Sequence, residues 1–104
     1  MFVVIKKINV HVESKEETII FFKQKTPLYS FKGFIKRDIM VGQTKEEIVT
    51  IMVQTCFKNK DAYLNWHKSD EHALFHKTLA HNKLKGVTSK TKEIFEWIDS
   101  YANE

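Results

Sequence analysis

Residues 31–57 read FKGFIKRDIMVGQTKEEIVTIMVQTCF, and this stretch decides the fold. Two runs rich in β-branched and aromatic residues, Phe31 to Val41 and Glu47 to Phe57, flank a polar segment, residues 42–46, that begins with Gly42. This pattern predicts two antiparallel strands joined as a hairpin. In the second run Ile48, Met52 and Cys56 alternate with Val49, Ile51, Val53 and Phe57, so both faces are largely apolar. Helices arranged in this order cover only one face of a sheet. A second copy of the chain is the simplest cover for the other, which predicts a homodimer packed sheet to sheet.

Towards the N-terminus, residues 2–12 read as another strand. Phe2, Val4, Ile8, Val10 and Val12 point one way; Val3, Ile5, Lys7, Asn9 and His11 point the other. Lys6 is the single charge on the first face. An ammonium there is destabilising unless its tip escapes or meets a partner, so Lys6 marks either a sheet edge or a cavity. Ser14, Lys15, Glu16 and Glu17 match a capping box that opens a helix carrying Ile19, Ile20 and Phe22, and Pro27 stops it.

Towards the C-terminus, residues 62–81 hold Trp66 and the histidines His67, His72, His76 and His81. Asn59 is placed to cap a short helix bearing Ala62, Tyr63 and Trp66. Ser69 is placed to cap a second, with Asp70 and Glu71 in its first turn, where the helix dipole favours negative charge. His72, His76 and Leu79 share one face of that second helix. One indole and two imidazoles near a helix junction suit a flat aromatic ligand or an iron atom. Residues 82–92, with Lys83, Lys85, Lys90 and Lys92 and no acid, read as a mobile basic loop. Residues 94–101 fit a strand or a helix equally well by periodicity. The order β-α-β-β-α-β, with the second helical unit split, is that of a ferredoxin-like α+β sandwich, one domain over residues 1–104.

Composition narrows the function classes. Hydrophobic residues at 42% and charged ones at 29% describe an ordinary folded domain. No stretch approaches the roughly 20 apolar residues of a membrane span, and residues 1–5 are too short for a signal peptide. A lone cysteine, Cys56, fits a reducing, cytoplasmic setting. The net charge of +4 comes from lysines spread along the chain, with Arg37 the one arginine. Nucleic-acid readers favour arginine and concentrate their charge, so no nucleic-acid partner is expected. Lys32, Gly33 and Phe34 match the start of an RNA-binding signature. However, Ile35, Lys36 and Ile39 lack its stacking rings, and the match falls on the wrong strand.

Other chemistries also fail. His72 and His76 have helical ligand spacing, but Ala73, Leu74 and Phe75 between them lack the glutamate of a zinc-protease motif. Cys56 has no neighbouring base, and three scattered glycines make no phosphate loop.

Phe31, Gly33 and Phe34, followed by Ala62, Tyr63, Trp66, Ser69, His76 and Lys77, resemble the antibiotic-biosynthesis monooxygenase (ABM) superfamily. Within it they are nearest to the cofactor-independent haem-degrading monooxygenases. The first group resembles that family's "(L/F)xGF" start of the second strand, the rest its "AfxxWxxSxxfxxaHk" helix pair; His72 and Phe75 depart from it. The resemblance implies a dimeric α/β-barrel and a strand near residues 94–101. It further implies a monooxygenase that binds haem as substrate and oxygen-activating centre, with His76 ligating the haem iron and Trp66 distorting the porphyrin. The family's strand asparagine falls on Lys6, and Asn9 lies on the opposite face. Lys6 cannot accept a hydrogen bond when protonated, but it suits an anionic substrate. The alternatives are a cofactor-free monooxygenase of a small aromatic molecule, with Lys6 stabilising its anion, and a non-catalytic ligand-binding or sensing domain.

Overall fold

Alternation of apolar side chains makes Phe2–His11 the first strand, β1. In the computed structural model, which describes residues 1–74 and 85–102, β1 is followed by helix α1 (Lys15–Lys23), β2 (Phe34–Val41), β3 (Ile48–Phe57), α2 (Lys60–His67) and β4 (Val87–Glu96). A short 3-10 turn, Pro27–Ser30, leads into β2, and residues 70–74 begin another helical segment after α2. All pairings are antiparallel, in the order β2-β3-β1-β4, so β1 lies between β3 and β4. This is the ferredoxin-like α+β fold expected from the sequence.

One face of the sheet carries the helices. Its buried residues form two clusters. The first joins Val4 and Phe57 to Leu28, Ala62 and Trp66, with Phe2, Phe31, Phe34 and Tyr63 packed on it. The second joins Ile8, Val10, Val49, Ile51 and Val53, with Ile19 and Phe22 of α1 packed on it. Burying such side chains contributes about 1.5–3 kcal/mol each. The opposite face carries Asn9, as expected from its offset. Its amide donates to Ser89 Oγ at 2.7 Å and accepts from Thr50 Oγ1 at 2.6 Å.

Several local expectations need correcting. Ser14 stands at the start of α1 but makes no side-chain cap bond; its carbonyl instead accepts Thr18 Oγ1 at 2.7 Å. The reason is that β1 ends at His11 and Val12–Ser14 forms a 3-10 turn, which leaves the serine backbone outside the extended conformation a cap needs. The helix ends at Lys23, ahead of Pro27, and β2 starts at Phe34, not Phe31. Residues 87–92, read as loop, belong to β4: pairing with β1 satisfies their backbone groups, and the lysines alternate along the strand. The strand stops at Glu96, so residues 97–101 lie outside it.

The other two caps form as expected. Asn59 Oδ1 accepts from the Ala62 amide at 2.9 Å, and Ser69 Oγ accepts from the His72 amide at 3.1 Å. Gly33 adopts φ +93°, and a Cβ there would lie 2.5 Å from that of Ala62. Only glycine lets the start of β2 approach the first turn of α2 so closely. That approach positions Trp66.

Candidate active site

Lys6 projects from the middle of β1 on the helix-covered face. Its neighbours along that face, Val4 and Ile8, belong to different core clusters, so the lysine lies at the seam between them. Laterally it stands between Val53 of β3 and Lys92 of β4. Burial, then the positive charges of Arg37, Lys92 and Lys90, bring its pKa from 10.5 down to about 8. Both disfavour the ammonium, the first by desolvation and the second by like-charge repulsion.

Arg37 comes to this face through a register shift. Phe34 pairs with Phe57, yet Lys36 pairs with Cys56 and Arg37 with Thr55. The bulge at Ile35 therefore reverses the alternation and turns Arg37 towards the helices, with Lys36 and Asp38 on the opposite pleats. Arg37 Nε donates to Thr55 Oγ1 at 3.3 Å, and its guanidinium lies 6.0 Å from the centre of the Tyr29 ring. Burial lowers the guanidinium pKa, while Tyr29 raises it by charge and hydrogen bonding.

Lys92 ties this cationic group to the aromatic cluster. Its Nζ donates to the Tyr63 hydroxyl at 2.7 Å and lies 5.2 Å from that ring's centre. Tyr63 packs on Phe2 at 5.2 Å and Phe57 at 5.5 Å and stacks on His67 at 5.8 Å. Trp66 is buried in the same cluster, with Phe31 and His72 each edge-on to it at 5.2 Å. His67 and His72 are 5.1 Å apart, and His72 Nδ1 donates to the His67 carbonyl at 3.0 Å.

The fold thus brings Lys6 and Trp66 to one side of the sheet, together with Lys90 and Lys92. His76 and His81 lie outside the described residues. Among the described residues no group of three or more His, Cys, Asp or Glu side chains is placed to hold a metal ion. Arg37 and Tyr63 join the site without having been read from the sequence as charge-bearing partners. The bulge that turns Arg37 inward has no strong sequence signal.

A four-stranded antiparallel sheet with helices on one face, and a cationic, aromatic-lined seam on that face, defines a ferredoxin-like domain. The profile of the family "Antibiotic biosynthesis monooxygenase" matches residues 1–78, and the chain belongs to that family. No curated protein matches the chain significantly. Among solved structures, a Bacillus cereus protein assigned to the antibiotic biosynthesis monooxygenases superposes with a TM-score of 0.81 at 18% identity, covering 98% of this chain and 97% of that one. SnoaB, a cofactor-independent oxygenase from Streptomyces nogalater, gives 0.66 at 11% identity, with 98% and 97% covered. The heme-degrader MhuD from Mycobacterium tuberculosis, solved with two hemes in its active site, gives 0.71 at 16% identity, with 98% and 100% covered.

Proposed function

We propose that this chain is a monooxygenase acting on a small aromatic substrate that reacts as an anion, without a resident cofactor. The observation that carries the reading is the charge around Lys6: the strand registers bring Arg37, Lys92 and Lys90, all cations, to its face of the sheet. Half-buried Lys6 and Arg37, with exposed Lys90 and Lys92 at their side and aromatic side chains nearby, favour a substrate's anion over its neutral form. Such an anion is electron-rich enough to react with oxygen directly. An activated ring CH2 plus O2 yields a carbonyl plus water, so the substrate itself supplies the electrons. SnoaB is an oxygenase that works in the same fold without a cofactor.

The test is oxygen consumption by the purified protein with phenolic and quinol-type substrates. The expected result is uptake that Lys6→Met abolishes; uptake undiminished in that variant removes Lys6 from the mechanism. Ligand-induced thermal stabilisation with no oxygen consumed at all would instead favour a binding or sensing domain.

A second reading, haem breakdown, is supported by the same cations, which match the two propionates of a haem, and by the indole of Trp66 in the cluster that Lys92 reaches through Tyr63. MhuD is a heme-degrader of this fold. In this reading haem is the substrate, Lys6, Arg37 and Lys92 hold its carboxylates, and His76, by the family resemblance, ligates the iron. Titration with haemin separates the two readings. A saturable Soret shift at about one haem per chain, lost in His76→Ala, supports the haem reading, and no shift leaves the first one standing.

We also infer a homodimer closed over the open face of the sheet and a cytoplasmic location. Phe95, Ile98 and Tyr101 are exposed apolar side chains on or beyond β4, and Met40 adds another on β2. Apolar groups gathered in this way mark an interface. Cys56 is a free thiol, and no helix among the described residues is long and apolar enough to cross a membrane.

A further inference from the structure

We propose that Lys6, as a neutral amine, accepts the acidic proton of the bound substrate, and that Arg37 and Lys92 hold the anion so formed. The proposal deepens the oxygenase reading given above and takes its purpose from it. The step balances simply. The amine lone pair binds the proton of an O–H or activated C–H group, the electrons of the broken bond stay on the substrate as its negative charge, and nothing is oxidised.

The geometry assigns these roles separately. Lys6 stands half-buried at the seam between the two core clusters, with Val4 of one and Ile8 of the other on either side of it along β1. Arg37 is braced by Thr55 and Tyr29, and Lys92 by Tyr63, so both cations are held by neutral partners among the described residues. By element, the titratable groups bearing on Lys6 are Arg37 of β2 and Lys90 and Lys92 of β4. Tyr63 of α2 reaches it through Lys92, and Tyr29 of the 27–30 turn through Arg37. β3 offers only Val53 and Thr55 there, and α1 the apolar Ile19 and Phe22. Part-buried and beside these cations, the amine gives up its proton more readily than a solvated lysine, and from about pH 8 upwards it stands mostly neutral in the empty site. It becomes the stable ammonium once an anion lies beside it.

That coupling has a signature independent of turnover. An anion raises the proton affinity of Lys6, so a permanently ionised ligand draws a proton from solution as it binds. A neutral phenol brings its own proton and draws none. The experiment is calorimetric titration of the whole protein at pH 8.5 in two buffers of different ionisation heat, with 2-naphthalenesulfonate and with 2-naphthol.

In the wild type, the sulfonate is expected to take up about half a proton or more and 2-naphthol none. Lys6→Met, or Lys6→Gln should the first fold poorly, should still bind the sulfonate but take up no proton. Arg37→Gln and Lys92→Gln should each weaken sulfonate binding by roughly tenfold, as for loss of one charge-assisted contact. Sulfonate binding to wild type without proton uptake would overturn the base assignment. No binding, or undiminished affinity in both Gln variants, would overturn the anion subsite. Oxygen consumption plays no part in these readouts, so a failure here is distinct from a failure of the oxygenase reading.

Discussion

At the scale of single residues, Lys6 weakens the empty fold that it serves. Its folded pKa, about 8, lies below the 10.5 of an unperturbed lysine. Below pH 8 the side chain is charged in both states and the folded one bears the full penalty. Between about pH 8 and 10.5 the unfolded chain binds more protons, so stability rises with pH, and above that range the penalty is gone. Lys6→Met should therefore stabilise the protein at pH 7 by about 1–3 kcal/mol, allowing for residual solvent contact. The gain should fade at pH 10.5; urea midpoints at the two pH values check it. Trp66 works the other way. Trp66→Ala should cost about 3–5 kcal/mol, read by the same unfolding curves, because the indole fills the first cluster. Lys6 was legible in the sequence because one charge interrupts an otherwise apolar alternation. Arg37 was not, since the bulge at Ile35 inverts the side on which simple alternation would place it.

At the scale of elements, the site depends on two junctions. Gly33→Ala should destabilise by about 1–3 kcal/mol, combining an unfavourable positive φ with a methyl driven into Ala62. Pairing it with Ala62→Gly should recover only part of that loss in thermal unfolding, because the strain in φ persists. Ser69→Ala removes a cap whose hydroxyl also donates to the Trp66 carbonyl at 2.6 Å, and a loss of about 1 kcal/mol is expected from denaturant unfolding. The caps at Asn59 and Ser69 could be read in advance because both are local chemistry, a side-chain oxygen accepting an amide three residues on. The box at Ser14 misled because tertiary contacts shape that turn: Ser14 packs closely against Gly86. The first part of β4, residues 87–92, looked like a loop because its lysines hide a strand whose partner, β1, is remote in sequence.

At the scale of the molecule, the apolar residues left on the open side of the sheet set the expectation of a dimer. Light scattering should report twice the chain mass, and Met52→Glu, on that open face, should return it towards the monomer. The strand order has another consequence, for the sequence of events in synthesis. Phe2 pairs with Phe57 on one side and with Glu96 on the other. As a nascent chain lengthens from its N-terminus, β1 emerges before either neighbour exists. It gains β3 midway and β4 only when residues 87–96 have been made, and such long-range pairing slows folding. Until then one edge of an apolar strand is open to wrong partners. The strand bearing Lys6 is the first to be made and among the last to be completed.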